Sequence, residues 1–246
     1  MRSIFSLGDS AITMDLGDRI DEELTKKALT MRDWLVTRRI PGLRDIIVAY
    51  SSISLFYDPV QVNAGQENAE QEVRMQGAFG CMKSWMEQAW DRADVLSAVG
   101  ERAVISVPVC YGGRYGPDLE SVAKAKRLTS QEVIELHSSR IYRVYMIGFL
   151  PGFAYLGKVD DRLDMPRKAA PVPVPAGSVG IVGNQSGIYP LNSPGGWHII
   201  GLTFLKLFDP QANPPIMFRT GDRVAFTPVP EREFEGLSRQ AAGSAG

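Results

Sequence analysis

The chain has 246 residues, of which 44% are hydrophobic and 22% charged, and its formal net charge is -1. This composition is typical of a globular protein of one or two domains, and it provides no basic field that would attract nucleic acid. No apolar run reaches the ~18 residues of a membrane-spanning helix, and Gly8 and Asp9 interrupt the start, where a secretory signal would be apolar. Cys81 and Cys110 form neither a metal motif nor a disulfide framework, so we expect a cytoplasmic protein without a metal site.

Residues 1–97 predict a small α+β domain. Short apolar segments at 4–7, 11–16, 46–50 and 53–57 are predicted strands. Two further segments repeat apolar residues at steps of three and four, which is typical of helices that bury one face. The repeats are Ile20, Leu24, Ala28, Met31 and Leu35, and then Met75, Phe79, Met82, Met86 and Ala89. Strand pairs with two helices on one face predict a ferredoxin-like α+β domain without a reaction centre.

Residues 98–235 predict a second domain in which short strands dominate. A strand at 103–109 is followed by a helix at 119–126 and by another that Thr129 and Glu132 open with a capping box. Beyond Ile141, short strands interrupted by glycine and proline predict a barrel or a sandwich. Residues 236–246 are small and polar, and we predict that they are disordered.

The segment from Val174 to Thr203 is unusually rich in glycine, with polar and aromatic residues between the glycines. This pattern predicts short strands joined by tight loops, which either are turns of a β domain or form a binding pocket. Such a pocket, facing a substrate or a partner, would be lined by Phe153, Tyr155, Arg167, Gln185, Tyr189, Ser193, Gly195, Gly196, Trp197 and His198.

Individual candidates allow two interpretations each. Arg167 could present its planar guanidinium to a carboxylate or phosphate, or could be a solvated surface charge. An exposed Trp197 beside small residues would suit a partner surface, and His198 fits a site or a structural role about equally. By contrast, His137 at a helix end and Cys110 at a strand end are predicted to be structural. No GxGxxG, GK[ST], HExxH or GxSxG motif identifies a catalytic residue.

Three long segments resemble the KipI family: GFLPGFAYLG at 148–157, VPAGSVGIVGNQSGIYP at 174–190 and SPGGWHIIG at 193–201. The segments GDSAITMDLG, AYSSISLFYDP and YGGRYGPDLE also match, so the resemblance extends to about residue 230. This family includes the B-type subunit of bacterial 5-oxoprolinase (PxpB), the first subunit of allophanate hydrolase and part of the carboxyltransferase domain of urea carboxylase.

The resemblance implies an α+β N-terminal domain followed by a cyclophilin-like β-barrel. It implies a cytoplasmic hydrolase subunit that pairs with a KipA-like (PxpC-like) barrel paralogue and, with a PxpA-like third subunit, opens 5-oxoproline to glutamate with consumption of ATP. The chain alone would then be inactive, and ATP would be bound by the complex rather than by this chain alone.

Two other roles stay open on the sequence. Some members of the KipI family are inhibitors of a sporulation histidine kinase, so a regulatory binding protein is the alternative. Carboxyl transfer to a small amide would require a biotin-bearing partner. The chain also departs from the family pattern, with Val172 and Leu202 at two positions where the family usually has arginine.

Overall fold

The computed structural model divides the chain into two compact units, Met1–Glu101 and Arg102–Gly246. It describes residues 2–17, 21–65, 77–95 and 103–243. The predicted domain boundary between residues 97 and 98 lies outside the described residues. Among the described helices, none combines the length and the apolar character that crossing a membrane requires.

The first unit contains a four-stranded antiparallel sheet with the order β1-β2-β4-β3. Its elements are β1 (Ser3–Ser6), β2 (Ala11–Asp15), α1 (Glu22–Val36), β3 (Leu43–Ala49), β4 (Ser52–Tyr57), α2 (Pro59–Ala64) and α3 (Gly77–Ala93). Strand β4 lies between β2 and β3, which α1 connects, and this is the split βαβ arrangement of ferredoxin-like folds. The outer place beside β2 is filled by β1, which precedes this arrangement in the chain.

The predicted apolar repeats of the two helices face the core of this unit. Their buried members are Ala28, Met31, Leu35, Met82, Met86 and Ala89. The prediction was wrong for Phe79, which is 37% exposed although its spacing matches the stripe. Ile20 and Met75 lie outside the described residues.

The second unit is a closed barrel with the strand order β10-β7-β6-β13-β5-β12-β9, beside a ribbon of β8 and β11. Its elements are β5 (Val104–Tyr111), α4 (Leu119–Lys126), α5 (Ser130–Ser138), β6 (Ile141–Ile147), β7 (Ala154–Gly157), β8 (Val172–Val174), β9 (Ser178–Val182), β10 (Gln185–Ile188), β11 (Ser193–Gly195), β12 (His198–Leu202), β13 (Arg223–Pro228) and α6 (Glu231–Gly243). Closure pairs the strands at both sides and leaves the barrel without an open edge. The predicted capping box between Thr129 and Glu132 is confirmed at the start of α5.

A neutral histidine of α5 contacts four strands of the barrel, β5, β6, β10 and β13. The Nδ1 of His137 lies 2.8 Å from the Tyr111 hydroxyl, and its Nε2 lies 2.8 Å from the Oγ of Ser186. The ring stacks on Phe226, and the Tyr142 hydroxyl donates to the His137 carbonyl. Complete burial lowers the pKa of His137 to about 3, so the ring is uncharged near neutral pH. The role is structural as predicted, but His137 acts as a neutral ring in the core and not as a cation at the helix end.

The prediction that residues 236–246 are disordered was wrong for residues 236–243, which belong to α6. One apolar anchor explains the difference, because Phe234 is 3% exposed and packs against Tyr115 with ring centroids 4.9 Å apart. Arg114 adds ion pairs to two glutamates of the helix, Glu231 and Glu235. Residues 244–246 lie outside the described residues.

The buried histidine predicts an acid-sensitive fold. Because the unfolded chain binds a proton near pH 6.5 and the folded chain only near pH 3, the unfolded state gains protons first as the pH falls. The contribution of His137 should therefore lower the free energy of unfolding by up to about 1.4 kcal/mol per pH unit between about pH 6 and pH 4. Urea unfolding at several pH values measures this slope.

The two histidines provide a matched comparison. His137→Gln should be less stable at neutral pH but should lose this part of the slope, whereas His198→Gln should retain it. Parallel pH profiles for His137→Gln and the unmodified chain would contradict the assignment.

Candidate functional site

The candidate site lies on the outside of the barrel, where a group of aromatic residues is packed. The buried members of this outer cluster are Phe153, Val174, Tyr189, Trp197 and Ile199. Strand alternation separates it from the barrel interior: Ala154 and Leu156 of β7 belong to the inner core, and Tyr155 between them packs against the outer cluster.

Two glycines facing each other across neighbouring strands make room for the outer cluster. Gly180 of β9 is paired with Gly187 of β10. A Cβ on Gly187 would lie 2.8 Å from a ring carbon of Trp197 and 2.9 Å from a ring carbon of Phe153. A Cβ on Gly180 would lie 3.1 Å from the Cβ of Trp197. Glycine at these two positions therefore makes room for aromatic rings, and the glycines of this segment are not confined to turns.

Trp197 is enclosed by this packing. Only 7% of the residue is exposed, and its ring meets the edges of Phe153 and Tyr155 with centroids 5.5 and 5.9 Å apart. The interpretation of Trp197 as an exposed partner contact was wrong. Because Gly180 and Gly187 have no side chains, the indole packs directly against the barrel wall. Its role is to support the residues around it.

Tyr189 and Gly195 form the part of the cluster closest to the ribbon. Tyr189 is 1% exposed, and a side chain at Gly195 would overlap its hydroxyl, so only glycine fits there. Burial raises the pKa of Tyr189 to about 12, against a smaller opposing effect of a backbone hydrogen bond from Trp197. Its hydroxyl is therefore protonated at physiological pH.

Arg167 is the exposed cation at this cluster. A Cβ on Gly196 would lie 2.7 Å from its Nε and 3.0 Å from its Cγ, so the arginine side chain runs along the bare backbone of Gly196. Its positive charge partly offsets the raised pKa values of Tyr155 and Tyr189, which burial causes. The structure thus places the Arg167 side chain against Gly196, the residue before Trp197, and that these residues form a binding site stays a prediction.

Asp118, which lies in the segment YGGRYGPDLE but was not predicted to belong to the site, fixes the loop that carries Arg167. Its Oδ2 accepts hydrogen bonds of 2.6 Å from the Nζ of Lys168 and from the backbone N–H of Ile199. The N–H of Lys168 also donates to the carbonyl of Gly196 over 2.9 Å. The sequence does mark Asp118, because it follows Gly116-Pro117 at the start of α4. An aspartate in that position usually caps its own helix, so the sequence did not indicate its bonds to Lys168 and Ile199.

The remaining candidates take different positions. The Nε2 of His198 lies 2.8 Å from the Pro166 carbonyl, which can only accept, so this nitrogen carries the proton. Gln185 is on β10 two residues before Gly187, and therefore on the same outward face. Ser193 is in the ribbon opposite Val174, and its Oγ is buried without a hydrogen-bond partner among the described residues.

The site is suited to binding an anion next to aromatic surface. An exposed guanidinium offers a planar pair of donors to a carboxylate or phosphate. Within the described ranges, no group of three His, Cys, Asp or Glu residues could hold a metal ion. Cys110 is 4% exposed, and burial raises the pKa of its thiol, which agrees with its predicted structural role.

The close packing at Gly187 leads to a stability prediction. Gly187→Ala should lower the free energy of unfolding by about 1–3 kcal/mol, because the new methyl group would overlap two aromatic rings that are packed on both sides. Gly236→Ala is the matched control: it meets no atom within 4 Å in α6 and should stabilise the protein by about 0.5–1 kcal/mol. Equal effects in chemical denaturation would contradict the packing role of Gly187.

Comparison with known proteins finds curated relatives of nearly the same length. The chain is 39% identical over 241 residues to the B-type subunit of 5-oxoprolinase from Bacillus subtilis (strain 168), covering 97% of both chains. It is 37% identical over 228 residues to the protein of that name from Escherichia coli O157:H7, covering 92% of this chain and 96% of the relative.

Solved structures agree with the fold. The crystal structure of TTHA0988 matches 89% of this chain and 39% of its own length at 33% identity, with a TM-score of 0.72. The urea amidolyase of K. lactis matches 97% of this chain and 15% of its own length with a TM-score of 0.69, and at 15% identity it supports the fold alone. The family model described as "Carboxyltransferase domain, subdomain C and D" matches residues 2–218. The chain therefore belongs to this family, and its resemblance to KipI and to the B-type subunits of 5-oxoprolinase is confirmed.

Proposed function

We propose that this chain is the B-type subunit of an ATP-dependent 5-oxoprolinase, a hydrolase that opens 5-oxoproline to glutamate. The identity of 37% to 44% with three relatives of that name supports the role. The structural observation that carries it is the exposed guanidinium of Arg167, which lies against Gly196 at the outer cluster. Within the enzyme, the chain would act with a KipA-like barrel paralogue and a PxpA-like third subunit in the cytoplasm.

The chemistry of 5-oxoproline matches this arrangement in two respects. The molecule carries one carboxylate, which the planar fork of Arg167 can bind with two parallel hydrogen bonds. The two methylene groups of its lactam ring are apolar, and the partly exposed Tyr155 offers them an aromatic surface within the electrostatic influence of Arg167. In this proposal Arg167 holds the carboxylate and orients the ring, so that the lactam carbonyl points away from the barrel wall.

ATP is assigned to the assembled complex and not to this chain. The sequence contains no phosphate-binding GK[ST] loop, and the described residues contain no cluster that could hold a metal ion beside the phosphates. Lys168, the nearest second cation in the sequence, is already paired with Asp118. In this proposal the contribution of the chain is to bind and orient the substrate.

This assignment predicts that activity requires partners. The purified chain, supplied with ATP and 5-oxoproline, should release no glutamate, whereas co-expression with the two partner subunits should restore ATP-dependent release. A coupled glutamate assay on matched protein amounts measures both. Turnover by the single chain would contradict the proposal.

Arg167 provides the test of the site itself. In the reconstituted complex, Arg167→Gln should raise the KM for 5-oxoproline by about tenfold to a hundredfold, because a hydrogen bond to a charged group contributes about 1.5–3 kcal/mol. Gly196→Ala should also raise KM, since its methyl group would displace the arginine side chain without removing its charge. The control is Arg219→Gln, which removes another exposed arginine of the barrel unit. An unchanged KM in Arg167→Gln would exclude this residue from substrate binding.

A further inference from the structure

A cleft of about 650 Å³ lies along the ribbon of β8 and β11. It is lined by residues 171–175 and 192–194. The cleft adjoins the candidate substrate site and shares Ser193 and Val174 with it, but Arg167 and Trp197 are not among its lining residues. Its volume is within the range of small-molecule sites in proteins, which is about 300–1,000 Å³.

The lining has a distinctive chemistry. None of its residues is charged, and four are prolines, whose fixed backbone angles make the walls rigid before any ligand arrives. Val172 is 38% exposed and thus offers an apolar surface. An ionised ligand would lose hydration here without meeting an opposite charge, and this favours an uncharged one.

Two polar groups give the cleft its hydrogen-bonding capacity. The Oγ of Ser193 is buried and has no hydrogen-bond partner among the described residues, although a buried hydroxyl normally has one. The Oδ1 of Asn192 accepts a hydrogen bond of 2.8 Å from the N–H of Ala176, which directs the amide group and leaves its NH₂ as a donor at the cleft. The Asn192 amide can donate to a carbonyl oxygen as it stands, and the Ser193 hydroxyl can do so after rotation about its Cα–Cβ bond.

We propose that this cleft is a second binding site, which takes an uncharged ligand with a branched aliphatic body and a carbonyl acceptor. The body would pack against Val172 and the prolines. The carbonyl would accept from the amide of Asn192 and from the hydroxyl of Ser193 after rotation about its Cα–Cβ bond. This site is independent of 5-oxoproline, whose carboxylate does not match an uncharged lining.

The experiment uses the purified full chain and N-acetyl-L-leucine amide, an uncharged probe of this class. Titration with methyl-labelled valine should shift the resonances of Val172 and Val174 in a saturable manner and leave that of Val104 unchanged. Because this measurement needs neither ATP nor partner subunits, its result does not depend on the proposed enzymatic function. The absence of saturable shifts at Val172 would overturn the proposal.

Two matched variants test the location and the chemistry. Val172→Asp should weaken probe binding by about tenfold or more, because it places a charge in the apolar cleft. The control Val104→Asp alters a valine of similar exposure, 40% against 38%, at the start of another strand of the same unit, and should bind as before. Ser193→Ala tests the hydroxyl with little change in shape and should weaken binding severalfold. Equal binding by Val172→Asp and Val104→Asp would overturn the proposed location.

Discussion

The candidate site depends on a steric constraint, the absence of side chains at Gly180 and Gly187. These two residues face each other across β9 and β10 and leave a flat area on the outer wall of the barrel. Trp197 occupies that area, and the chain just before it is thereby held close to the wall at Gly195 and Gly196. Gly196 in turn gives Arg167 a bare backbone to lie against. The position of the Arg167 guanidinium at the surface thus depends, through the Trp197 ring, on the two glycines in the barrel wall.

Electrostatic and hydrogen-bonding contacts hold the other side of the same loop. Asp118 binds both Lys168 and the backbone of Ile199, so one carboxylate connects the start of α4, the loop after Pro166 and strand β12. This leaves neighbouring cations with different roles, since Lys168 is paired inside the loop while Arg167 stays exposed. The buried His137 stabilises β10 from the opposite, interior side through Ser186, the residue between Gln185 and Gly187. Strand β10 is therefore held by packing on the outer face of the barrel wall and by a hydrogen bond on the inner face.

Much of the architecture was accessible from the sequence, because helical periodicity, capping and strand alternation are local signals. The stripes of α1 and α3 and the capping box of α5 were predicted in this way. The glycine-rich pattern also indicated that Tyr189 and Trp197 lie near each other, as they do in the outer cluster, but it could not assign exposure. Whether Trp197 faces solvent depends on Gly187, ten residues away on another strand, and such non-local packing has no periodic signal. Helix α6 was missed for a related reason, since its order depends on the burial of Phe234 against Tyr115 and Phe204.

The prolines of the ribbon have a consequence for association between molecules. Val172 is paired with Gly195 and Val174 with Ser193, so the N–H groups of these residues are directed between the two strands. The intervening residues, Pro173 and Pro194, are directed to the two outer edges, where neither has an N–H to donate. A strand from another molecule would find acceptors at these edges and no matching donors. The ribbon can therefore expose apolar residues at its cleft without becoming a template for strand-to-strand aggregation.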